Sequence, residues 1–219
     1  MRTLEFEPYR EQRARWPDAG RHILAQFDDE SVVVYQAYRP EIGEFAVTHQ
    51  RFGGPWSFSR MSWIKPNFLW MMYRCGWASK PGQEVVLAVR MRRAGFDALL
   101  AAAVHSSYVP ELYGDQASWK AAVKRSDVRL QWDPDHDPHG AKQTRRAIQL
   151  GLRGPTLASY AEPWALSITD ISARVRAEHA RVRAGQLDEL STPRERVYPV
   201  QDPDVARRLG LAPPPASAR

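Results

Sequence analysis

Cysteine is almost missing from this chain. Cys75 stands alone, so no intrachain disulfide can form and a zinc site built on several thiolates is excluded. Set among apolar residues just before Gly76, that thiol reads as buried and inert. Long apolar runs are missing as well: the longest, Phe68 to Tyr73 and Ala98 to Val104, fall far short of the roughly 20 residues that span a bilayer. The opening stretch Met1 to Glu7 is charged and has no apolar core of the signal-peptide kind. No membrane partner and a reducing, cytoplasmic setting are therefore expected. No glycine-rich loop follows the pattern of a P-loop or a dinucleotide fingerprint, and no Ser or Cys sits in a nucleophile elbow. Kinase, NTPase and hydrolase classes lose ground accordingly. Acids, finally, are scarce in one place: between Arg51 and Arg93, Glu84 is the only one.

What fills that stretch is cations and rings. Arg51, Arg60, Lys65, Arg74, Lys80, Arg90, Arg92 and Arg93 oppose the single acid, giving a local charge of +7 in a chain whose total is +6. Trp56, Trp63, Trp70, Trp77, Phe52, Phe58, Phe68 and Tyr73 lie among them. Permanent cations beside flat aromatic faces suit a planar anionic ligand, a nucleotide or a nucleic acid strand. Arginine makes up 26 of the 31 cations; a GC-rich genome produces the same global excess, so the weight rests on the local clustering. Charge is otherwise evenly spread, with neither a basic arm nor an acidic tail.

The expected architecture is one α+β domain over residues 1–201, followed by a disordered tail over 202–219 that contains Pro213, Pro214 and Pro215. Ser31 to Arg39 reads as a buried strand stopped by Pro40, with a short helix over Glu41 to His49. Pro66 opens and Gly76 closes a Trp-rich helix that is apolar all round and hence buried. Glu84 to Met91 reads as a second buried strand and Ala94 to Val104 as a helix; Ser118 is a plausible cap for another over Ser118 to Arg125. In Asp127 to Asp133 residues alternate, Val128, Leu130 and Trp132 against Arg129, Gln131 and Asp133. Ile148, Leu150 and Leu152 alternate again, so the two strands pair as a hairpin with a long loop over 134–146. A long helical region runs from Pro155 to Gly185, bent or broken at Pro163. The sheet is mixed or antiparallel.

Three places carry candidate chemistry. Arg39, at the end of the first buried strand with Tyr35, is a candidate phosphate or carboxylate ligand, with a salt bridge to Glu41 or Glu44 as the structural alternative. Around Ser59, Arg60, Trp63 and Lys65, hydroxyls, cations and rings alternate just ahead of the Trp-rich helix, whose N-terminal N–H groups and dipole would receive an anion; packing alone is the alternative. Gln131 and Asp133 leave their strand on its non-core face and are candidate catalytic groups. The acids and histidines of 133–139 also suggest a metal loop, but an Asp-Pro turn explains them, and no metal is expected. Arg145 and Arg146 are a further candidate pair. His22, His49, His105 and His179 lack recognisable partners and read as structural.

The stretches VYQAYR (34–39), RMSWIKPNFLWMMYRCGW (60–77) and QWDPDH (131–136) resemble a bacterial and eukaryotic family described as a domain of unknown function, over about residues 5–200. That resemblance implies a small single-domain cytosolic protein. A looser likeness is to the ADP-ribosyltransferase fold, which would give Arg39 or Tyr35 the first role, Ser59 with Tyr73 or Trp63 the second, and Gln131 or Asp133 the third. It implies NAD as cofactor, with Arg39 on the pyrophosphate, an aromatic on nicotinamide and Asp133 at the ribose. Those enzymes usually carry Glu at the third position, from which Gln131-Trp132-Asp133 departs. The expected function is thus nucleotide binding, with ADP-ribosyl transfer as its enzymatic form. The alternatives are a non-enzymatic RNA or DNA binder and a cofactor-free enzyme acting on a small metabolite.

Overall fold

A computed structural model describes residues 3–213. The first third comprises β1 (Phe6–Pro8), α1 (Tyr9–Arg15), β2 (Gly20–Arg21), β3 (Leu24–Ala25), β4 (Ser31–Tyr38), α2 (Pro40–His49), β5 (Ser62–Ile64) and α3 (Phe68–Cys75). The middle comprises β6 (Val85–Arg92), α4 (Arg93–Ala102), β7 (Val104–His105), α5 (Pro110–Tyr113), α6 (Gln116–Arg125), β8 (Val128–His136) and β9 (Lys142–Leu152). The remainder is α7 (Gly154–Ala161), β10 (Ala165–Asp170), α8 (Ser172–Arg183), β11 (Ser191–Pro193), β12 (Arg196–Val197) and α9 (Pro203–Leu209). Helices and mostly antiparallel strands mingle as an α+β fold.

β4, β6 and β10 form an antiparallel sheet in the order β10-β6-β4. It is covered on both faces, which is why Val32 to Tyr35 and Val86 to Val89 read as continuous apolar runs and not as alternation. One face turns Val32, Val34, Leu87 and Val89 into a core shared with Phe96, Leu99 and Leu100 of α4. The other turns Val33, Tyr35, Val86 and Ala88 toward Phe68, Met71 and Met72 of α3 and Val175 and Val182 of α8. The second sheet pairs β8 with β9 through most of their length, with β7 beyond β8, and β2 and β5 along the free edge of β9. Its apolar face, Val128, Leu130, Ile148, Leu150 and Leu152, closes the first core from the opposite side. The two sheets are joined at a backbone seam, where Tyr35 N–H donates to Lys65 O at 2.7 Å and Lys65 N–H to Tyr35 O at 3.3 Å.

The alternation that predicted the β8–β9 hairpin holds, but the turn is shorter than expected because pairing continues to His136 and Lys142. The C-terminal helical region is corrected. Ala165 to Asp170 is a strand, the outer one of the first sheet, and Pro163 separates α7 from it. Hydrogen bonding to β6 outweighs the helical spacing of Ile168, Ile171 and Val175. Asp115, not Ser118, caps α6, accepting from Ser118 N–H at 2.7 Å. The expected tail is corrected over 203–209, where α9 forms behind an Asp202 cap and seats Leu209 in the core; residues 214–219 lie outside the described residues. Among the described residues no helix is long and apolar enough to cross a membrane.

Candidate functional site

Beside the seam, the end of β4, the start of α2, the loop from Pro55 to Met61, β5 and α3 enclose a cavity of ≈ 550 Å³. Arg39, Arg60, Lys65 and Arg74 all contribute to its wall, as do Tyr38, Trp56 and Trp63, and no carboxylate does. Local sequence explains the convergence. β4 stops at Pro40, leaving Arg39 on the rim, while β5 pairs with β9 so that Trp63 and Lys65 share the face opposite buried Ile64. Asn67 then starts α3, its side chain accepting from Trp70 N–H at 2.7 Å, and the first half of the helix turns Met71 toward the cavity.

Lys65 forms the floor. Its side chain is 6% exposed and makes no hydrogen bond and no ion pair within 4.0 Å to any described residue. Burial first, then the positive charge of Arg74, lower its pKa from 10.5 to about 8; Asp133 and Cys75 pull the other way. A buried cation without a partner is expensive and is rarely kept for packing. Arg60 and Arg74 likewise have no carboxylate within ion-pairing distance among the described residues, whereas Arg39 meets Glu41 at 3.2 Å. The expected salt bridge to Glu41 is therefore present, and Arg39 also lines the cavity rim.

Outside the cavity wall a fixed carboxylate acts on Lys65 through its charge. Gln131 Nε2 donates to Asp133 Oδ1 at 2.8 Å and Gln149 Nε2 to Asp133 Oδ2 at 2.7 Å, so both oxygens are oriented by amides from paired strands. Gln149 faces Gln131 across β8 and β9. The alternation of Ile148, Leu150 and Leu152 places Gln149 on the polar face, the sequence signal for its role. Neither Gln149 nor Arg74 stood out in the sequence, although the basic stretch contained Arg74. On the upper wall Gln36 Nε2 donates to Tyr38 Oη and to Ser62 Oγ, both at 2.8 Å, Trp56 Nε1 donates to Tyr38 Oη at 2.9 Å, and Tyr160 Oη donates to Gln36 Oε1 at 2.8 Å. This network fixes the rings before any ligand arrives. Gly151 leaves room for Trp63: a Cβ there would lie 2.6 Å from Met61 Sδ and 3.0 Å from the indole. Gly151→Ala should consequently displace Trp63 and destabilise the fold by about 1–3 kcal/mol, readable as a shifted tryptophan emission and a lower Tm. An unchanged spectrum would remove Trp63 from the rigid wall.

Of the residues anticipated from sequence, Arg39, Arg60, Trp63 and Lys65 meet at the cavity, whereas Gln131 and Asp133 lie outside its wall, Asp133 acting on Lys65 through its charge alone. Three more lie away from it. Tyr35 points into the core, fully buried against Phe68 at a ring distance of 5.5 Å. Tyr73 lies on the outer side of α3, stacked on His136 at 3.6 Å, because it falls on the helix face away from β5. Ser59 is exposed on the loop and bonds to Ser57 Oγ at 3.0 Å. The N-terminus of α3 is also corrected as an anion receptor. Glu195 fills it, accepting from Phe68 N–H at 2.6 Å and Asn67 Nδ2 at 3.2 Å, and burial holds that carboxyl well above the ordinary range. Arg145 is committed elsewhere, to Asp135. Among the described residues no three His, Cys, Asp or Glu side chains converge in a metal-binding arrangement.

No curated protein matches the chain. A family model does match, over residues 22–198, a span that includes every wall of the cavity together with Gln131, Asp133 and Gln149. The chain thus belongs to the family described as Domain of unknown function (DUF4291).

Proposed function

We propose that the cavity is a nucleotide-binding site. One observation carries this: Lys65, Arg60 and Arg74 converge, with no carboxylate in ion-pairing distance among the described residues, on a cavity whose described wall contains none. Phosphate oxygens supply the missing charge, and the half-buried face of Trp63 offers the base a stacking surface. The volume lies within the range of small-molecule sites. ADP-ribosyl transfer from NAD, the reaction implied by the looser resemblance, draws support from Asp133 and its two amide donors, whereas Tyr35, Ser59 and Tyr73 lie outside the cavity. NAD is for that reason one probe among several.

Thermal-shift and calorimetric titrations with AMP, ATP, ADP-ribose, NAD and pyrophosphate test the proposal. At least one phosphate-bearing ligand should stabilise the protein, by about 2.7 kcal/mol at a hundredfold excess over Kd. No shift with any of them at millimolar concentration would end it. Binding of an oligonucleotide in preference to all five, with a steep loss from low to moderate salt, would replace it by a strand-binding function.

The charge state of Lys65 gives this site a pH signature. Below about pH 8 the amine is cationic and attracts phosphate; above it the folded protein sheds the proton, as burial and Arg74 favour, against the opposing pull of Asp133 and Cys75. Affinity for a phosphate ligand is expected to be flat from pH 6.5 to 7.5 and to fall by about tenfold between pH 7.5 and 9.5. A flat profile up to pH 9.5 would mean that Lys65 does not contact the ligand.

A further inference from the structure

We propose that Lys65 is a nucleophile as well as an anion ligand, and that its Nζ forms an imine with the aldehyde of a ring-opened pentose phosphate held in the cavity. This rests on the phosphate-binding reading of the same site and adds a covalent step to it. The geometry supplies what imine formation requires. The amine sits on the floor of a cavity rather than at a protein surface, and among the described residues no acceptor takes its protons and no donor its lone pair. Arg60 and Arg74 are free to hold a phosphate, which would bring the sugar to which it is esterified down toward the floor. Asp133, held by Gln131 and Gln149, is the carboxylate whose charge acts on the amine.

Burial and the neighbouring Arg74 raise the fraction of free amine at neutral pH, a known way of activating a lysine toward carbonyl compounds. In the step itself the nitrogen lone pair attacks the C1 carbonyl carbon. The N–C bond forms as the C=O π pair moves to oxygen, which takes up a proton; the nitrogen gives up a proton to solvent. The hydroxyl of the carbinolamine then takes up a proton from solvent and leaves as water while the nitrogen lone pair closes the C=N bond, and the nitrogen releases its remaining proton to solvent. Amine and aldehyde become imine and water, with no change of oxidation state. A ring-opened pentose phosphate occurs both as a free sugar phosphate or ADP-ribose and as an abasic site in a strand, and the two share this chemistry.

Reductive trapping tests it. The full-length protein is incubated with ribose 5-phosphate and cyanoborohydride at pH 7.5, in parallel with an abasic oligonucleotide, and the adducts are counted by intact mass and located by peptide mapping. The chain has five lysines, Lys65, Lys80, Lys120, Lys124 and Lys142. Lys65 should label about tenfold faster than any of the others, because more of it is free amine. Excess pyrophosphate should protect it, and Lys65→Arg, which keeps the charge, should leave only the slow labelling. Adducts with ribose 5-phosphate alone assign the carbonyl to a free metabolite; adducts with the oligonucleotide alone assign it to a strand. Equal labelling of all five lysines, in protein that still shows a thermal shift with AMP or ATP, overturns the imine and leaves the binding site standing. Equal labelling with no shift overturns both.

Discussion

Lys65→Met is expected to make the unliganded protein more stable and at the same time to abolish binding of phosphate ligands. Both effects have one cause. In the native structure the ammonium is almost wholly buried without a counter-ion, so its charged form is disfavoured and its pKa falls to about 8. The unfolded chain holds the proton up to 10.5, the ordinary value. A depressed lysine pKa subtracts from stability at every pH below about 8, and the loss is recovered only as pH rises from about 8 to 10.5, where the unfolded state binds more protons. Each pH unit of that gap corresponds to about 1.4 kcal/mol, so the penalty at pH 7 is on the order of 3 kcal/mol.

Methionine has a similar length and no charge, and should recover most of this, raising Tm by about 4–10 °C. The gain over wild type should shrink above pH 8. Phosphate binding should meanwhile weaken by a hundredfold or more, because a charge-assisted contact in a low-dielectric pocket is lost. Chemical denaturation across pH 6.5–10, with calorimetric titration of both proteins, decides the matter. If Lys65→Met were less stable than wild type at pH 7, the amine would have a partner, and its role as a waiting ligand would be lost.

The second large effect lies away from the cavity. Asp135 and Arg145 are 1% and 2% exposed, and Asp135 Oδ2 accepts from Arg145 Nη2 at 2.6 Å and Nε at 2.8 Å. The guanidinium also lies over the ring of Trp16 at 5.2 Å and donates to Pro17 O. It thereby ties the hairpin of β8 and β9 to the N-terminal segment. Asp135→Ala leaves that guanidinium buried and uncompensated, a change that costs about 3–5 kcal/mol and lowers Tm by about 10 °C in a chain of this size. The double variant Asp135→Leu, Arg145→Met removes both charges and should regain most of the loss, since an apolar pair of similar volume is often as stable as the ion pair. Ligand affinity measured well below the lowered Tm should be unchanged in either variant. A loss smaller than 1 kcal/mol in Asp135→Ala, or a double variant no better than the single, would show that the pair is not the buried anchor described here.

Legibility from sequence differs between these two features. The strand ended by Pro40 and the helix expected between Pro66 and Gly76 rest on local rules, and the structure has them within a residue or two, with Asn67 rather than Pro66 starting the helix. The second buried strand and the β8–β9 alternation also follow from burial period. β10 escaped because six residues after a proline, flanked by two helices, have no hydrophobic period of their own; they are a strand only because β6 offers an edge. α9 escaped because its two buried residues look sparse in a polar segment until Trp132 Nε1 is found donating to Leu209 O at 2.9 Å.

The candidate site divides in the same manner. Composition placed cations and rings in one stretch, and alternation placed Gln131 and Asp133 on a polar face. Neither could distinguish Trp63 and Lys65 from Tyr73, which share the stretch. That depended on β5 pairing with β9 and on which face of α3 turns inward. Nor could they separate Arg145 from Arg74: one met a buried carboxylate and the other an empty wall.

Sequence by itself determined the strand and helix signals, the scarcity of acid between Arg51 and Arg93 and the polar side of β8, because these depend on neighbours along the chain. Tertiary structure alone decided which charges are satisfied within the protein and which face the cavity, because a side chain's electrostatic partners come from whichever elements happen to pack beside it. Lys65 is an ordinary lysine in the sequence; only the seam between two sheets makes it a buried cation without a partner.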